Sequence, residues 1–272
     1  MERAFLFDPA FSVPAPRATM ICMSLWAIAP PAVVAAGTAL TAWGALYPQS
    51  QLFGPTIRRT PIAKQFALTF DDGPNPAITP RLLELLDRYH VRATFFLVGK
   101  FVRACPDLAR EVAARGHSIG NHTETHPNLF WLNRVRLRQE LASCQGAIGE
   151  ALGQAPRWMR PPYGIRSPFL SSIVREMKFR GVVMWSLIPG DWLAKPVDWL
   201  IRRMQPVADH IERPAGARPR GGDILVLHDG NHRMLNGDRR RTLAALEYWL
   251  PRWKDAGLEF VTIDQISGEG AG

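Results

Sequence analysis

The chain has 272 residues, a formal charge of +9 and a hydrophobic content of 47%, with a pI near 10.1. That length suits one large domain or two small ones, and that much apolar side chain excludes an intrinsically disordered polymer. Such a basic balance can favour acidic surfaces, but the arginines are scattered rather than gathered on one helix with interleaved aromatics, so nucleic-acid binding has little support.

In chain order, the first 64 residues differ from the rest. No charged side chain lies between Arg17 and Arg58, and 20–47 is almost wholly apolar, longer than the roughly 20 residues a membrane helix needs. Pro30-Pro31 interrupts this stretch and would kink or split a helix. A membrane anchor over about 20–47 is the favoured reading. A cleaved signal peptide, processed near Ala35, Ala36 and Gly37, and an apolar arm packed on the domain stay open. Charges on the two flanks do not fix an orientation. Cys22, Cys105 and Cys144 form no motif, and their odd number argues against a disulfide framework.

From Gln65 onward, short apolar runs alternate with amphipathic stretches. Strands are expected over 66–70, 93–98, 117–120, 157–159, 182–186, 224–227 and 259–263. Between them, Thr79 offers an N-cap with Pro80 at the first helical position, and Leu82, Leu83, Leu85 and Leu86 mark an apolar face. A helix is expected to run to about Arg115 and stop at Gly116, another over 133–152 to close at Gly153, and a third to start near Ser167-Pro168. Further helices are expected over 198–207 and 239–253, with a Pro-, Gly- and Arg-rich loop over 211–222. Sustained strand–helix alternation implies a parallel sheet. Asp71-Asp72, His122, Arg160, Asp191 and His228 all fall at or just past a strand's C-terminal end, where barrels and doubly wound sheets alike build their sites. Five strands serving one site is easier in a closed ring, so the expectation is an α/β fold closed as a barrel.

These residues define the chemistry. His122 and His126, four apart in His-Thr-Glu-Thr-His, offer two imidazoles, and a carboxylate from Thr-Phe-Asp71-Asp72-Gly-Pro would complete a three-ligand site for zinc, cobalt or nickel. One of the two carboxylates would bind metal while the other holds a proton. The order is not the His-Glu-x-x-His of a metalloprotease helix, and the Pro-Cys-x-x-Cys of a zinc deaminase is absent. His228 ends an apolar strand, and Asp191 could keep it protonated as a general acid. Arg160 could hold Asp71 in position.

Taken together and in this order, the motifs resemble the polysaccharide deacetylase family, carbohydrate esterase family 4, whose members share the chitooligosaccharide-deacetylase homology domain. The resemblance runs from about Gln65 to Ile266. It implies a distorted (β/α) barrel of seven parallel strands, with Asp71 as general base and Asp72, His122 and His126 as metal ligands. It implies that Arg160 orients Asp71 and that the Tyr163 backbone N–H stabilises an oxyanion. Pro161 and Tyr163 would lie in the Arg-Pro-Pro-Tyr-Gly turn that walls the groove. Asp191 would tune His228, the acid, and Trp192, Leu225 and Leu227 would enclose the acetyl methyl. One departure stands out, Ile188 where the family usually carries an additional Asp. His232 has no role in the resemblance and reads as a loop residue.

The expected organisation is an N-terminal segment over 1–64, a catalytic domain over 65–266 and a flexible tail over 267–272. The expected activity is metal-dependent removal of N-acetyl groups from amino sugars of a glycan, with the protein membrane-anchored or exported to the cell envelope. A deacetylase or deformylase of a lipid-linked or small amide is the alternative, and an inactive glycan-binding module is the second.

Overall fold

The computed structural model describes residues 18–47, 50–207 and 221–266, with side chains from residue 31 onward. In chain order it contains α1 (Ala18–Leu46), β1 (Thr56–Ile57), β2 (Gln65–Gly73), α2 (Thr79–Arg88), β3 (Thr94–Leu97), α3 (Gly99–Ala104), α4 (Pro106–Ala114) and β4 (Ser118–Asn121). There follow α5 (Arg134–Leu152), β5 (Trp158–Met159), α6 (Leu170–Glu176), β6 (Gly181–Val183), α7 (Val197–Met204), β7 (Asp223–His228), α8 (Arg240–Asp255), β8 (Glu259–Phe260) and α9 (Ile263–Ile266). Single 3-10 turns occur at Leu129–Trp131 and Pro162–Gly164.

All strands pair in parallel, in the order β1-β6-β5-β4-β3-β2-β7, with β8 also on β2. Leu187, just beyond β6, bridges Leu225 of β7, and Arg59 bridges Asp223. The sheet thus curls almost to closure, with its thinnest wall at the two-residue β5. This is the expected α/β architecture. The two-residue edge strand β1, beside β6, was not foreseen, because Thr56–Ile57 is too short to give a hydrophobic period.

The central strand β2 is buried on both faces, as parallel strands covered by helices are. Phe66, Leu68 and Phe70 pack with Leu225, Leu227 and the apolar faces of α2 and α8. Their neighbour Ala67 joins a second cluster containing Phe96, Met159, Val183 and Val226. Strand alternation assigns Thr69 and Asp71 to the side of Ala67.

Several boundaries shift for local reasons. The helix expected up to Arg115 breaks at Cys105, which is pushed out of the helical region (φ −138°, ψ 62°) by the following Pro106. Gly153 ends α5 at φ 73°, as expected, and Asn133, expected to be its first residue, is instead its cap, accepting from the Arg136 N–H. Thr79 is not an N-cap. Its hydroxyl accepts from the Asn75 N–H at 2.9 Å and donates to the Asp229 carboxylate instead. The last expected strand stops at Phe260, and Ile263 opens a short helix. The loop expected over 211–222 and the tail over 267–272 lie almost wholly outside the described residues.

The chain divides into Met1–Trp43 and Gly44–Gly272, so the compact unit begins 21 residues before the expected boundary at Gln65. No helix among the described residues is long and apolar enough to cross a membrane. The side chains of 18–30, on which the anchor and signal expectations partly rest, are outside the description. Within the larger unit, Gly44, Tyr47 and Ser50 are tied down by Arg166, which is 1% exposed. Its guanidinium donates to the carbonyls of Ser50 (2.6 Å), Gly44 (2.8 Å) and Tyr47 (2.6 Å). Replacing it strands two buried acceptors and a third that is partly buried. Arg166→Met is expected to lower stability by roughly 3 kcal/mol in denaturant titration; an unchanged midpoint would show that other contacts hold this segment.

Candidate active site

Successive residues of a strand face opposite ways, yet both Asp71 and Asp72 reach one cavity. The register of β2 against β3 shifts between Asp71 and Gly73, and Asp72 adopts φ 71°. This bulge turns the second carboxylate back to the side of the first. Gly73 and Gly230 make the turn possible. A Cβ at Gly230 would overlap the Asp72 carbonyl, and one at Gly73 would overlap the Asp229 carboxylate.

His122 follows β4 directly. Its Nδ1 lies 2.8 Å from the Arg160 carbonyl, which fixes the proton on Nδ1 and leaves Nε2 bare. His126 comes from the next turn, where Thr123 (φ 68°) and His126 (φ 60°) both hold left-handed backbone. Asn121 Oδ1 accepts from the Thr123 N–H at 2.8 Å and Thr123 Oγ1 from the His126 N–H at 3.1 Å. Asp72 Oδ1 lies 3.6 Å from His122 Nε2 and 3.2 Å from His126 Nε2. One donor atom from each of these three buried residues falls within 4.8 Å of the other two. Asp72 Oδ1 is buried and has no hydrogen-bond partner. An orphaned carboxylate oxygen facing two imidazole nitrogens is the donor set a zinc-like dication takes, so these residues could hold one metal ion.

Electrostatics favour the ligand forms. Burial opposes charge on Asp72, but the surrounding His232, His228, His126 and His122 hold its carboxyl far below the usual range. Burial, reinforced by His122, pushes His126 down to about 2, keeping the ring neutral.

Asp71 Oδ1 accepts from Arg160 Nη1 at 2.8 Å. Arg160 is itself wholly buried, over the Phe96 ring at 4.2 Å. It also donates to Thr69 Oγ1 (2.7 Å), the Val183 carbonyl (3.3 Å) and the Met184 carbonyl (3.1 Å). On the other side, Asp191 grips His228 twice at 2.8 Å, accepting from its backbone N–H through Oδ2 and from its Nδ1 through Oδ1. Thr242 Oγ1 donates to Asp191 Oδ2 at 2.9 Å. Burial works against a charged His228, but Asp191 outweighs it and raises the imidazole to about 9.

These groups border a cavity of about 510 Å³ lined by Asp71, Asp72, His122, His126, Tyr163 and His228, with Ile188, Trp185 and Trp192 among its apolar walls. Arg160 and Asp191 stand behind the lining. Leu225 and Leu227 do not face the cavity. Val226 does, because it shares a strand face with His228, two residues on, whereas Leu225 and Leu227 point into the helix-side core. Pro161 is buried and also does not line it. Sequence reasoning passed over His232, which lines the cavity, and Asp229, which burial pushes up to about 7. The Asp229 backbone carbonyl accepts from Asn75 Nδ2 at 2.9 Å. Only the fold reveals either, since each is a polar residue in a loop segment.

Against that geometry, residues 58–182 match the family model described as polysaccharide deacetylase. A chitooligosaccharide deacetylase of Bradyrhizobium sp. (strain ANU 289) is 36% identical over 208 residues, spanning 73% of this chain and 89% of that protein. The chain belongs to the polysaccharide deacetylase family. A peptidoglycan-N-acetylglucosamine deacetylase of Bacillus cereus is 34% identical over 75% of this chain and 88% of its own length. Among solved structures, the peptidoglycan N-acetylglucosamine deacetylase Bc1960 superposes with a TM-score of 0.66 at 28% identity, covering 78% of this chain and 91% of that one. A CE4 family pseudoenzyme from Bacillus anthracis also scores 0.66, at 27% identity over 79% and 69% of the two chains. The family and its named deacetylase relatives make this chain a polysaccharide N-deacetylase, a hydrolase.

The Asp191–His228 pair makes a titration test. The folded value of His228 lies above the ordinary 6.5. The pair's stabilisation is therefore complete below pH 6.5 and lost as pH rises through about 9. In the metal-free protein, His228 is expected to titrate near 9 by NMR and to fall toward 6.5 in Asp191→Asn. Equal values in both proteins would contradict the assignment.

Proposed function

We propose that this chain is a metal-dependent hydrolase that removes N-acetyl groups from amino sugars of an envelope glycan. The observation that carries the reading is the buried, hydrogen-bond-free Oδ1 of Asp72 facing the Nε2 atoms of His122 and His126. Those three residues would hold one divalent cation, zinc first and cobalt or nickel next. When bound, such a cation polarises an amide carbonyl and makes water nucleophilic near neutral pH.

The chain's own groups divide the remaining work. Asp71 takes the proton from the attacking water, and Arg160, which donates to Asp71 Oδ1 at 2.8 Å, aims it. The backbone N–H of Tyr163, at a residue of φ 58°, donates to the developing oxyanion. His228, kept protonated by Asp191, donates to the departing amine. Trp192, whose ring meets His228 edge-on at 5.3 Å, covers the acyl side together with Val226. The products are a free amino sugar and acetate.

The family and its named relatives support an N-acetylated glycan as substrate, and chitooligosaccharide and peptidoglycan fragments are the first to test. Relatives acting on peptidoglycan support work at the cell envelope. Release of acetate from a chitooligosaccharide or peptidoglycan fragment is expected to stop with a chelator and return with zinc or cobalt. Zinc retention without turnover on any N-acetylated glycan would instead favour a glycan-binding module.

Two substitutions test the division of labour. Asp71→Asn is expected to lower kcat by about 10²- to 10⁴-fold while the protein keeps its metal. Loss of the metal instead would show the two aspartates exchanged. His228→Ala is expected to lower kcat with KM nearly unchanged; a parental rate would assign the acid elsewhere.

A further inference from the structure

His232 belongs to the loop between β7 and α8, and nothing in the division of labour above uses it. Its ring nevertheless lies flat on His126, with centroids 4.2 Å apart and an interplanar angle of 17°. Its Nδ1 is 3.5 Å from Asp72 Oδ2, the carboxylate oxygen other than the one nearest His126 and His122. Its Nε2 is 3.2 Å from the Tyr163 hydroxyl. Lys100, at the start of α3, donates to the His232 carbonyl at 2.7 Å and fixes the backbone of the loop.

We propose that His232 is a positioning residue of the metal centre, acting from outside the ligand set. The inference rests on the reading of Asp72, His122 and His126 as metal ligands. His232 is not a fourth ligand, because among the described residues only those three bring donor atoms within 4.8 Å of one another.

Two needs of the centre converge on this ring. A carboxylate that offers one oxygen to a cation is free to rotate unless its second oxygen is held, and ligand-orienting contacts of this kind tune affinity. A ring nitrogen facing a carboxylate carries the proton, so Nδ1–H points at Asp72 Oδ2 and Nε2 accepts from the Tyr163 O–H. The second need is orientation of His126. The Nδ1 of His122 is held by the Arg160 carbonyl at 2.8 Å, whereas the Nδ1 of His126 is buried with no hydrogen-bond partner. His126 is instead flanked by the His232 face and by the Tyr163 ring, edge-on at 4.5 Å and 74°. Packing does for His126 what a hydrogen bond does for His122.

Zinc affinity of the full-length chain, measured by competition with a chromogenic chelator, tests this independently of turnover. His232→Ala is expected to weaken zinc about 10- to 100-fold and to alter the visible absorption of the cobalt-loaded protein. In His232→Asn the amide nitrogen stands near the place of imidazole Nδ1 and recovers most of the loss. His232→Gln carries its amide one carbon too far and does not. Parental affinity in His232→Ala, or Asn and Gln variants as weak as Ala, would overturn the inference. A parent chain that binds no zinc would overturn the metal-centre reading, and this inference with it.

Discussion

A guanidinium without access to solvent lies inside the curled sheet, and the geometry of the site follows from it. Arg160 leaves β5, receives the Asp71 carboxylate of β2, and donates to carbonyls of Val183 and Met184 at the end of β6. A lone buried carboxylate, or a lone buried guanidinium, costs several kcal/mol. Paired, with Thr69 Oγ1 and two carbonyls also accepting from the guanidinium, the two ions neutralise each other and three strand ends are locked together. That leaves Asp72 with no Arg or Lys at ion-pair distance among the described residues. Its environment is imidazole nitrogens instead, which is why the neighbouring carboxylates can differ in task.

Strain is concentrated at the same place. Among the described residues, non-glycine positive φ occurs at six positions, and four of them are Asp72, Thr123, His126 and Tyr163. Each costs on the order of 1–3 kcal/mol and persists only where surrounding contacts over-determine it. Those contacts are visible: the side chains of Asn121 and Thr123 catch the 123–126 turn, and Glu140 of α5 accepts from both the N–H and the hydroxyl of Thr125 at 2.9 Å. The local backbone is held in an unfavourable form so that ligand nitrogens and oxygens converge before any cation arrives.

Much of this was legible in the sequence. Period and stops placed most of the elements because 66–70 and 93–98 are apolar but for one threonine each, 224–227 is apolar throughout, and Gly153 carries local helix-stop chemistry. His122, His126 and the adjacent carboxylates Asp71 and Asp72 were legible as a cluster because they fall at or just past expected strand ends, while the choice of Asp72 as the ligand came from the family resemblance. What escaped depends on tertiary position. Strand β1 is too short to have a period. Leu225 and Leu227 were expected at the acyl pocket, yet the pleat gives that face to Val226 and His228. His232 reads as an ordinary loop histidine until the fold lays it on His126. The apolar N-terminus gave a strong membrane signal from composition, but composition does not register that Arg166 binds the carbonyls of Gly44, Tyr47 and Ser50 into the compact unit.

The most direct test is anomalous diffraction at the zinc edge from crystals of the full chain grown with zinc. A single strong peak is expected within bonding distance of Asp72 Oδ1 and of the Nε2 atoms of His122 and His126, with Asp71 uncoordinated beside it. A peak bound by other residues, or none between those three at saturating zinc, would contradict the convergence on which the proposed chemistry depends.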